Sequence, residues 1–400
     1  MNKTEEYIKS HWDQCVRENQ QDEDSLLGLP YPYTVPAIGH FNELYYWDTF
    51  FTNKGLALSG RYDLIKNNVD DMLYLVNRYG FMPNGNRTWF LSRSQPPFLS
   101  EMVLDVYEHY HDPVWLEGAY HQLEREYQFW MCERMSPVGL NAYGGQKKPE
   151  EEEASIADFK KRVGCEVTLS DQDVYDQYLF SAESGWDMNP RWGFEAKNFV
   201  PVDLNSLLYC LENNMCYFAE ILENGQAELW VSRASMRRDL MNQYMDRGDG
   251  VLLDYNFVKK EHGKVLSAAS FYPLYAGLVT PEQAAAAAGE LRNLEADHGI
   301  LTCVQNDTPG NYQWDYPNGW ACLQYMTIMG LDRYGFKKEA KRISEKYVKM
   351  VEKVFEESGN LWEKYNVVEG NINVQNEYGL PPMMGWSAGV YLAAKKYLEQ

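Results

Sequence analysis

The chain has 400 residues, of which 45% are hydrophobic and 24% charged, and its formal net charge at pH 7 is -21. This composition is typical of a globular protein with a large core, whereas the excess negative charge opposes binding to nucleic acid and to anionic membrane surfaces. Because no run of about 18 apolar residues occurs, we expect no membrane-spanning segment.

The first residues, 1–8, lack the apolar stretch of a secretory signal, so we expect a cytoplasmic protein. The seven cysteines are scattered without a C-x-x-C pair, and the seven histidines show no metal-binding spacing. We therefore expect reduced thiols and no metal site. We also expect a monomer or weak homo-oligomer.

Apolar residues recur at helical spacing through most of the chain. The predicted helices cover roughly residues 4–18, 46–59, 61–79, 99–110, 113–134, 204–222, 230–246, 281–295, 320–334, 340–355 and 383–398. Asp203 is placed to cap one of them, and Gly359 to end another. The best candidate strand is 250–255.

About a dozen helices with no flexible linker predict one all-α domain over residues 1–400. A toroid of paired helices in two concentric rings fits that number, and loops at one end of such a toroid line a cleft. The charged stretch at 144–172 interrupts the helical pattern. We interpret it as a solvated loop or flap near the cleft.

The most distinctive stretch is Gln313-Trp314-Asp315-Tyr316-Pro317-Asn318-Gly319-Trp320. It is too polar for a core strand and too aromatic for a solvated loop, and proline and glycine favour a turn. A rigid turn with flat rings and hydrogen-bonding groups suits a sugar. A buried aromatic corner, in which the polar groups satisfy one another, is the alternative interpretation.

Three further connectors combine aromatic and polar side chains at predicted helix boundaries. They are residues 39–48, 84–97 and 183–189. Their Asp, Asn, Gln and Arg side chains are groups that form paired hydrogen bonds to neighbouring hydroxyls. These connectors therefore predict a carbohydrate site.

Taken in order, these motifs resemble the trehalases of glycoside hydrolase family 37. Phe-Asn-Glu-Leu-Tyr-Tyr-Trp-Asp at 41–48 is similar to that family's first signature, and the run at 313–320 to its second. Blocks 83–97 and 183–187, and Glu-Lys-Tyr-Asn-Val at 363–367, are similar to further family segments. The resemblance extends from about residue 36 to 392.

The resemblance implies an (α/α)6 barrel, no cofactor, and hydrolysis of an α-glucosidic bond with inversion at the anomeric carbon. Matched position by position, it implies that Asp187 is the general acid and Glu363 the general base. It also implies that the sugar is held by Phe41, Tyr45, Trp47, Asp48, Asn84, Arg93, Gln95, Gly185, Trp314 and Trp386.

The chemistry of inverting hydrolysis is compatible with these roles. It needs two carboxyl groups about 6.5–9.5 Å apart on opposite faces of the sugar, with a water between. An indole beside a carboxyl excludes water and favours the protonated form, which is the expected effect of Trp186 on Asp187. We expect Lys364 and Tyr365 to orient Glu363.

Each catalytic assignment has an alternative. Asp187 is alternatively a helix N-cap, and Glu363 a partner of Lys364 in a surface ion pair. Glu377 is the rival base. We expect Asp48 and Asp315 to act as sugar ligands or structural acceptors rather than as catalysts.

Two departures from the family pattern fall around the predicted leaving-group subsite. His40 stands where the family usually has arginine, and residues 147–151 read Lys-Lys-Pro-Glu-Glu instead of an Arg-Pro-Glu-Ser-Tyr block. Neither histidine nor lysine reproduces the planar donor set of arginine. The leaving-group subsite is therefore predicted to be divergent.

The predicted function is hydrolysis of a small α-glucoside, with α,α-trehalose the leading substrate. A different α-glucoside, such as glucosylglycerate in the manner of family 63 relatives, is the first alternative. A non-catalytic sugar-binding protein is the second, which the presence of both Asp187 and Glu363 disfavours.

Overall fold

The structure, a computed structural model, describes residues 2–374, 379–382 and 384–400. The α-helices in these ranges are α1 Lys3–His11, α2 Tyr46–Leu58, α3 Tyr62–Tyr79, α4 Leu99–Tyr110, α5 Pro113–Glu133, α6 Pro149–Val163, α7 Asp171–Ser184, α8 Val202–Ile221, α9 Ala227–Met245, α10 Tyr272–Ala276, α11 Pro281–Gly289, α12 Leu291–Leu294, α13 Ala321–Arg333, α14 Lys337–Ser358 and α15 Gly385–Leu398. Short 3-10 helices occupy Trp12–Cys15, Thr88–Ser92, Ala196–Asn198 and Ala268–Phe271.

Six helices form a closed inner ring in the order α2, α4, α8, α10, α13 and α15. Each contacts the next, and α15 packs back against α2. Other helices lie outside this ring: α3 and α5 pack against α4, α9 against α8, and α14 against α13 and α15. This arrangement confirms the predicted all-α (α/α)6 toroid.

The closure of the ring depends on two facing glycines. A Cβ added to Gly389 of α15 would lie 1.9 Å from the Phe51 carbonyl oxygen of α2, and one added to Gly55 would lie 2.7 Å from Gly389 Cα. Only glycine allows this approach. It brings the start of α2, with Trp47 and Asp48, close to Trp386 at the start of α15.

The strands are only two or three residues long. They are β1 Val16–Arg17, β2 Tyr33–Thr34, β3 Phe199–Val200, β4 Tyr255–Asn256, β5 Glu261–His262, β6 Glu295–Ala296, β7 Gly299–Ile300, β8 Asn318–Trp320 and β9 Lys364–Asn366. All pairings are antiparallel: β1 with β2, β4 with both β3 and β5, β6 with β7, and β8 with β9. The predicted strand at 250–255 is wrong for all but its last residue, where β4 begins.

Several predicted boundaries also differ from the structure. The helix expected at 4–18 ends at His11 and is followed by a 3-10 turn and β1. Pro201, not Asp203, is the N-cap of α8. Asp203 lies inside that helix because its carboxylate pairs with the buried Arg191 guanidinium, 2.6 Å away.

The charged stretch at 144–172, expected to be a loop or flap, contains the fifteen-residue helix α6. Acidic residues occupy its first turn and basic residues its last turn, an arrangement that complements the helix dipole. The helix buries Phe159 and Val163 in a small second core with Val174, Met188 and Tyr312.

Among the described residues, no helix is long and apolar enough to cross a membrane. Within the same residues, no group of three or more His, Cys, Asp or Glu side chains is arranged to hold a metal ion.

Candidate active site

The connectors singled out in the sequence meet at two adjoining cavities. The inner cavity, of about 90 Å³, is lined by Pro36, Phe41, Tyr45, Trp47, Asp48, Gln95, Gly185, Asp187, Trp314, Trp320, Glu363 and Trp386. The outer cavity, of about 500 Å³, is lined by Phe41, Tyr45, Asn84, Phe90, Arg93, Gln95, Asp158, Lys161, Arg162, Ala182, Asp187 and Asn311. The two share Phe41, Tyr45, Gln95 and Asp187.

All twelve site residues expected from the sequence line one cavity or the other. They come from parts of the chain more than 300 residues apart, and the toroid brings them to one place. Asn84 and Arg93 face the outer cavity, whereas both proposed catalytic carboxyls line the inner one. The rival base Glu377 lies outside the described residues.

Stacked indoles form the wall of the inner cavity. The rings of Trp314 and Trp320 lie parallel, 3.7 Å apart at 1°. Trp47 lies 5.6 Å from Trp314, and Trp386 is perpendicular to Trp320 at 5.7 Å. The wall offers flat apolar faces, which pack well against the C–H groups of a sugar ring.

Asp187 follows α7 across a tight turn. The helix ends at Ser184, and Gly185 takes the left-handed conformation with φ 72°. Asp187 therefore lies after a helix rather than before one, which excludes the N-cap interpretation. Its side chain is 36% exposed, and its Oδ2 lies 3.3 Å from Nη2 of Arg162.

Glu363 immediately precedes β9, whose pairing with β8 places it beside the aromatic run. Lys364 lies opposite Trp320 in this pairing. The Glu363 carboxylate accepts a hydrogen bond from Lys364 Nζ at 2.7 Å, and Trp386 Nε1 donates to the Glu363 carbonyl oxygen at 2.9 Å. The ion pair with Lys364 therefore exists, but it is buried and not at the surface.

The sequence interpretation was less accurate for Tyr365 and for the end of the aromatic run. The Tyr365 hydroxyl accepts a hydrogen bond from the Trp362 backbone N–H at 3.1 Å, and this bond orients the turn before Glu363. In the aromatic run, the turn ends at Pro317 and residues Asn318–Trp320 form the buried strand β8, where we expected no strand. Asn318 is satisfied there because its Nδ2 donates to the Gln313 carbonyl.

Asp48 lies in the same cavity as the two proposed catalytic carboxyls. Burial, followed by the nearby charges of Glu363 and Asp187, raises the pKa of Asp48 to about 7. A carboxyl that keeps its proton near neutrality can donate as well as accept a hydrogen bond. This property suits a ligand for a sugar hydroxyl.

A buried ion pair links two of the connectors, 84–97 and 183–189, to the segment that carries Arg134 and Gly144. Arg134 binds the Glu183 carboxylate through Nε at 2.7 Å and Nη2 at 2.9 Å. The same carboxylate accepts from the backbone N–H groups of Ser94 at 2.8 Å and Gly144 at 2.7 Å. Glu183 therefore fixes the turn that carries Asp187 against the segment that carries Arg93 and Gln95.

A second buried network lies behind Trp186. Arg191 donates to Asp203 at 2.6 Å and to Asp254 at 2.8 Å, and its guanidinium lies 4.4 Å from the centre of the Trp186 ring. Because Trp186 precedes Asp187, these contacts restrict where the Asp187 backbone can lie.

Sequence reasoning missed Arg162, which approaches Asp187 from α6. The available signal was its i,i+4 spacing from Asp158, which the structure shows as an ion pair at 3.5 Å. Conversely, His40 is exposed and does not appear in the described lining of either cavity. Lys147 pairs with Asp176, also outside that lining.

Asp315 acts as a structural acceptor. It accepts from Asn306 Nδ2 at 2.9 Å and from the Tyr316 N–H at 2.7 Å. Burial raises its pKa to about 6. These bonds stabilise the turn before β8.

A family model and a relative found by sequence comparison indicate the same family. A family model described as Trehalase matches residues 1–399. The periplasmic trehalase of Xanthomonas campestris pv. campestris (strain B100) is 33% identical over 413 residues, which cover 97% of this chain and 72% of the relative.

Two solved structures show the same architecture. The neutral trehalase of Saccharomyces cerevisiae superimposes with a TM-score of 0.77 at 28% identity, covering 98% of this chain and 79% of that one. A GH63 mannosylglycerate hydrolase from Thermus thermophilus gives 0.66 at 18% identity, covering 97% and 99%. The second similarity concerns the fold alone.

Proposed function

This chain belongs to the trehalase family of glycoside hydrolases, and we propose that it hydrolyses α,α-trehalose to two molecules of glucose with inversion at the attacked carbon. The observation that carries the proposal is that Asp187 and Glu363 line the same aromatic-walled cavity. Inverting hydrolysis requires two carboxyl groups at one sugar site, one as the acid and one as the base.

In the proposed mechanism, Asp187 donates its proton to the glycosidic oxygen as the bond from that oxygen to the anomeric carbon breaks. Glu363 removes a proton from a water molecule, whose oxygen forms the new bond to the same carbon from the opposite face. Water returns the proton from Glu363 to Asp187 after the products leave. The attacked glucose is released as the β-anomer, and the leaving glucose keeps its α-configuration.

The neighbours of the two carboxyls fit these roles. Lys364 neutralises and orients Glu363 at 2.7 Å, so the base has a fixed direction. Asp187 is the more exposed of the two and faces both cavities, so it can reach an oxygen that joins a sugar in the inner cavity to one in the outer cavity. Asp48 and Gln95 would hold hydroxyls of the inner sugar.

A substrate screen tests the proposal. Purified protein is incubated with trehalose, kojibiose, nigerose, maltose, sucrose and glucosylglycerate, with glucose release as the readout. We expect trehalose to give the highest kcat/KM. A higher value for another α-glucoside would keep the reaction class but replace the substrate, and no release from any of them would favour a non-catalytic sugar-binding protein.

The expected cytoplasmic location and the monomeric or weakly oligomeric state stay predictions. The relative from Xanthomonas campestris is periplasmic by name. Fractionation of the native cells and size-exclusion chromatography of the purified protein test these two expectations.

A further inference from the structure

Helix α6 brings an arginine to the cleft. Arg162 lines the outer cavity, and its side chain is 17% exposed. Its Nη2 lies 3.3 Å from Oδ2 of Asp187, and its Nη1 lies 3.5 Å from Oδ2 of Asp158. The guanidinium is thus next to the proposed acid, on the outer side of the site.

The position of Arg162 is fixed by buried contacts on the same helix. Phe159 and Val163, which flank it, are 2% and 0% exposed and pack with Met188, the residue after Asp187. The Val163 carbonyl oxygen accepts a hydrogen bond of 2.7 Å from the Asn311 backbone N–H. Helix α6 is therefore held against both sides of the cleft, and Arg162 keeps its place relative to Asp187.

We propose that Arg162 is the specificity-determining residue for the leaving group, an inference that rests on the proposed function. The glycosidic oxygen must come within hydrogen-bond distance of Asp187 to receive its proton. The sugar attached to that oxygen then occupies the outer cavity, beside the Arg162 guanidinium. Arginine presents five donors in a planar fork, and these fit the oxygen atoms of neighbouring hydroxyls.

The surroundings of Arg162 favour a neutral, hydroxylated leaving group over an anionic one. The guanidinium already faces the carboxylates of Asp158 and Asp187. A carboxylate on the leaving group would have to compete with Asp158 for the guanidinium and would meet the repulsion of the Asp158 charge, whereas Asp187 carries a proton in the reactive state. A sugar hydroxyl can instead donate to Asp158 and accept from Arg162.

Arg162 also supplies an arginine to the leaving-group subsite, where the sequence predicted that the planar donor set of arginine is missing. The two positions that depart from the family pattern, His40 and Lys147, lie outside the described lining of the outer cavity. The planar donor set that neither of them supplies is delivered by α6, from a position with no counterpart in the recognised motifs.

The test compares two substrates that share a glucosyl group and differ in the leaving group. Trehalose releases a sugar, whereas α-glucosyl fluoride releases fluoride, which offers no hydroxyls to Arg162. We expect Arg162→Ala to lower kcat/KM for trehalose about 10- to 100-fold, as expected for a lost charged hydrogen bond. The value for α-glucosyl fluoride should change less than about threefold. Arg162→Lys, which keeps the charge but not the planar fork of donors, should have a kcat/KM for trehalose between those of the unaltered protein and Arg162→Ala.

Lys160→Ala is the matched control. Lys160 is a cation on the same helix, pairs with Asp171 at 2.8 Å, and is 43% exposed outside the cavity lining. It should leave both substrates unchanged, because exposed ion pairs contribute little.

Three results would overturn the inference. An equal loss on both substrates would mean that Arg162 only supports the fold near Asp187. Unchanged trehalose hydrolysis in Arg162→Ala would mean that it does not contact the leaving sugar. If the unaltered protein cleaves α-glucosyl fluoride but not trehalose, the proposed function fails first, and Arg162 loses its assigned ligand with it.

Discussion

The Nζ of Lys364 lies 2.7 Å from Oε2 of Glu363, with the two side chains 0% and 4% exposed. The same ammonium donates to Gln313 Oε1 at 3.0 Å and lies 4.7 Å from the centre of the Trp320 ring. Lys364 therefore couples the proposed base to both ends of the aromatic run. A surface ion pair would not connect the base to these two residues.

We predict that Lys364→Met lowers kcat for trehalose at least about 100-fold and destabilises the fold by about 3 kcal/mol, because it leaves a buried carboxylate without its cation. Initial rates and urea unfolding measure the two effects. Lys54→Met is the control: Lys54 pairs with Asp105 at 2.5 Å and is absent from the described lining of both site cavities. It should lose stability while keeping activity.

Asp187→Asn tests the proposed acid. An amide cannot protonate the leaving oxygen, so we predict that trehalose hydrolysis falls about 10²- to 10⁴-fold. α-Glucosyl fluoride, whose leaving group needs little protonation, should lose much less. The thermal unfolding temperature should stay close to that of the unaltered protein. Trehalose hydrolysis at more than a tenth of the original rate would remove Asp187 from the mechanism.

The stereochemistry of the product tests the pairing of Asp187 with Glu363. With α-glucosyl fluoride as substrate, proton NMR in the first minutes should show β-glucose ahead of mutarotation. α-Glucose as the first product would indicate retention and contradict the mechanism. Glu363→Gln should abolish turnover; if Glu377→Gln does so instead, the base is Glu377.

The fold was largely predictable where burial follows a simple period. Helix α14 is an outer helix with one buried face. The predicted segment 340–355 lies within its bounds, Lys337–Ser358, and the helix is ended by Gly359 as predicted, with that glycine left-handed at φ 70°. The site residues of the inner cavity were predictable because aromatic and polar residues are concentrated in short connectors. Such connectors are conspicuous in a helical sequence.

Tertiary interactions account for what the sequence did not reveal. Asp203 has the sequence context of an N-cap, but its carboxylate is needed by Arg191, which is 12 residues earlier and fully buried. Arg162 looks like an ordinary surface cation at the end of a charged helix. The packing of Phe159 and Val163 against Met188, together with the hydrogen bond from the Asn311 N–H to the Val163 carbonyl, shows that this helix faces the cleft.

The turn before Asp187 leaves no room for a side chain at Gly185. A Cβ added to Gly185 would lie 2.7 Å from Cε2 of Trp47, and φ is 72°. Gly193 has φ 54° with nothing within 4 Å of an added Cβ. Both alanine variants should lose about 1–2 kcal/mol through backbone strain, measured by urea unfolding. Only Gly185→Ala should also lose most trehalose hydrolysis, because it displaces the Trp47 ring. Equal activity in the two variants would contradict this.

A buried carboxyl far along α3 from its N-terminus predicts how stability depends on pH. Asp71 is 0% exposed and its Oδ1 accepts from the Tyr31 N–H at 3.0 Å; within the described chain its Oδ2 has no hydrogen-bond partner. Burial, followed by the charge of Asp70, raises the pKa of Asp71 from 3.8 to about 8. Between these two values the folded protein holds a proton that the unfolded chain has released.

The free energy of unfolding therefore falls, through this group, as pH rises from about 4 to about 8. Asp71→Asn removes the effect, so its stability relative to the unaltered protein should increase with pH, by at most about 1.4 kcal/mol per unit. Urea unfolding at pH 5, 6, 7 and 8 measures the difference.

Asp63→Asn on the same helix is the control. Arg61 hydrogen-bonds Asp63 and lowers its pKa, so the Asp63 carboxyl is ionised in both the folded and the unfolded state over this range. The free energy of unfolding of Asp63→Asn should therefore change with pH in parallel with that of the unaltered protein. A parallel curve for Asp71→Asn as well would mean that Asp71 is already ionised in the folded protein at pH 5.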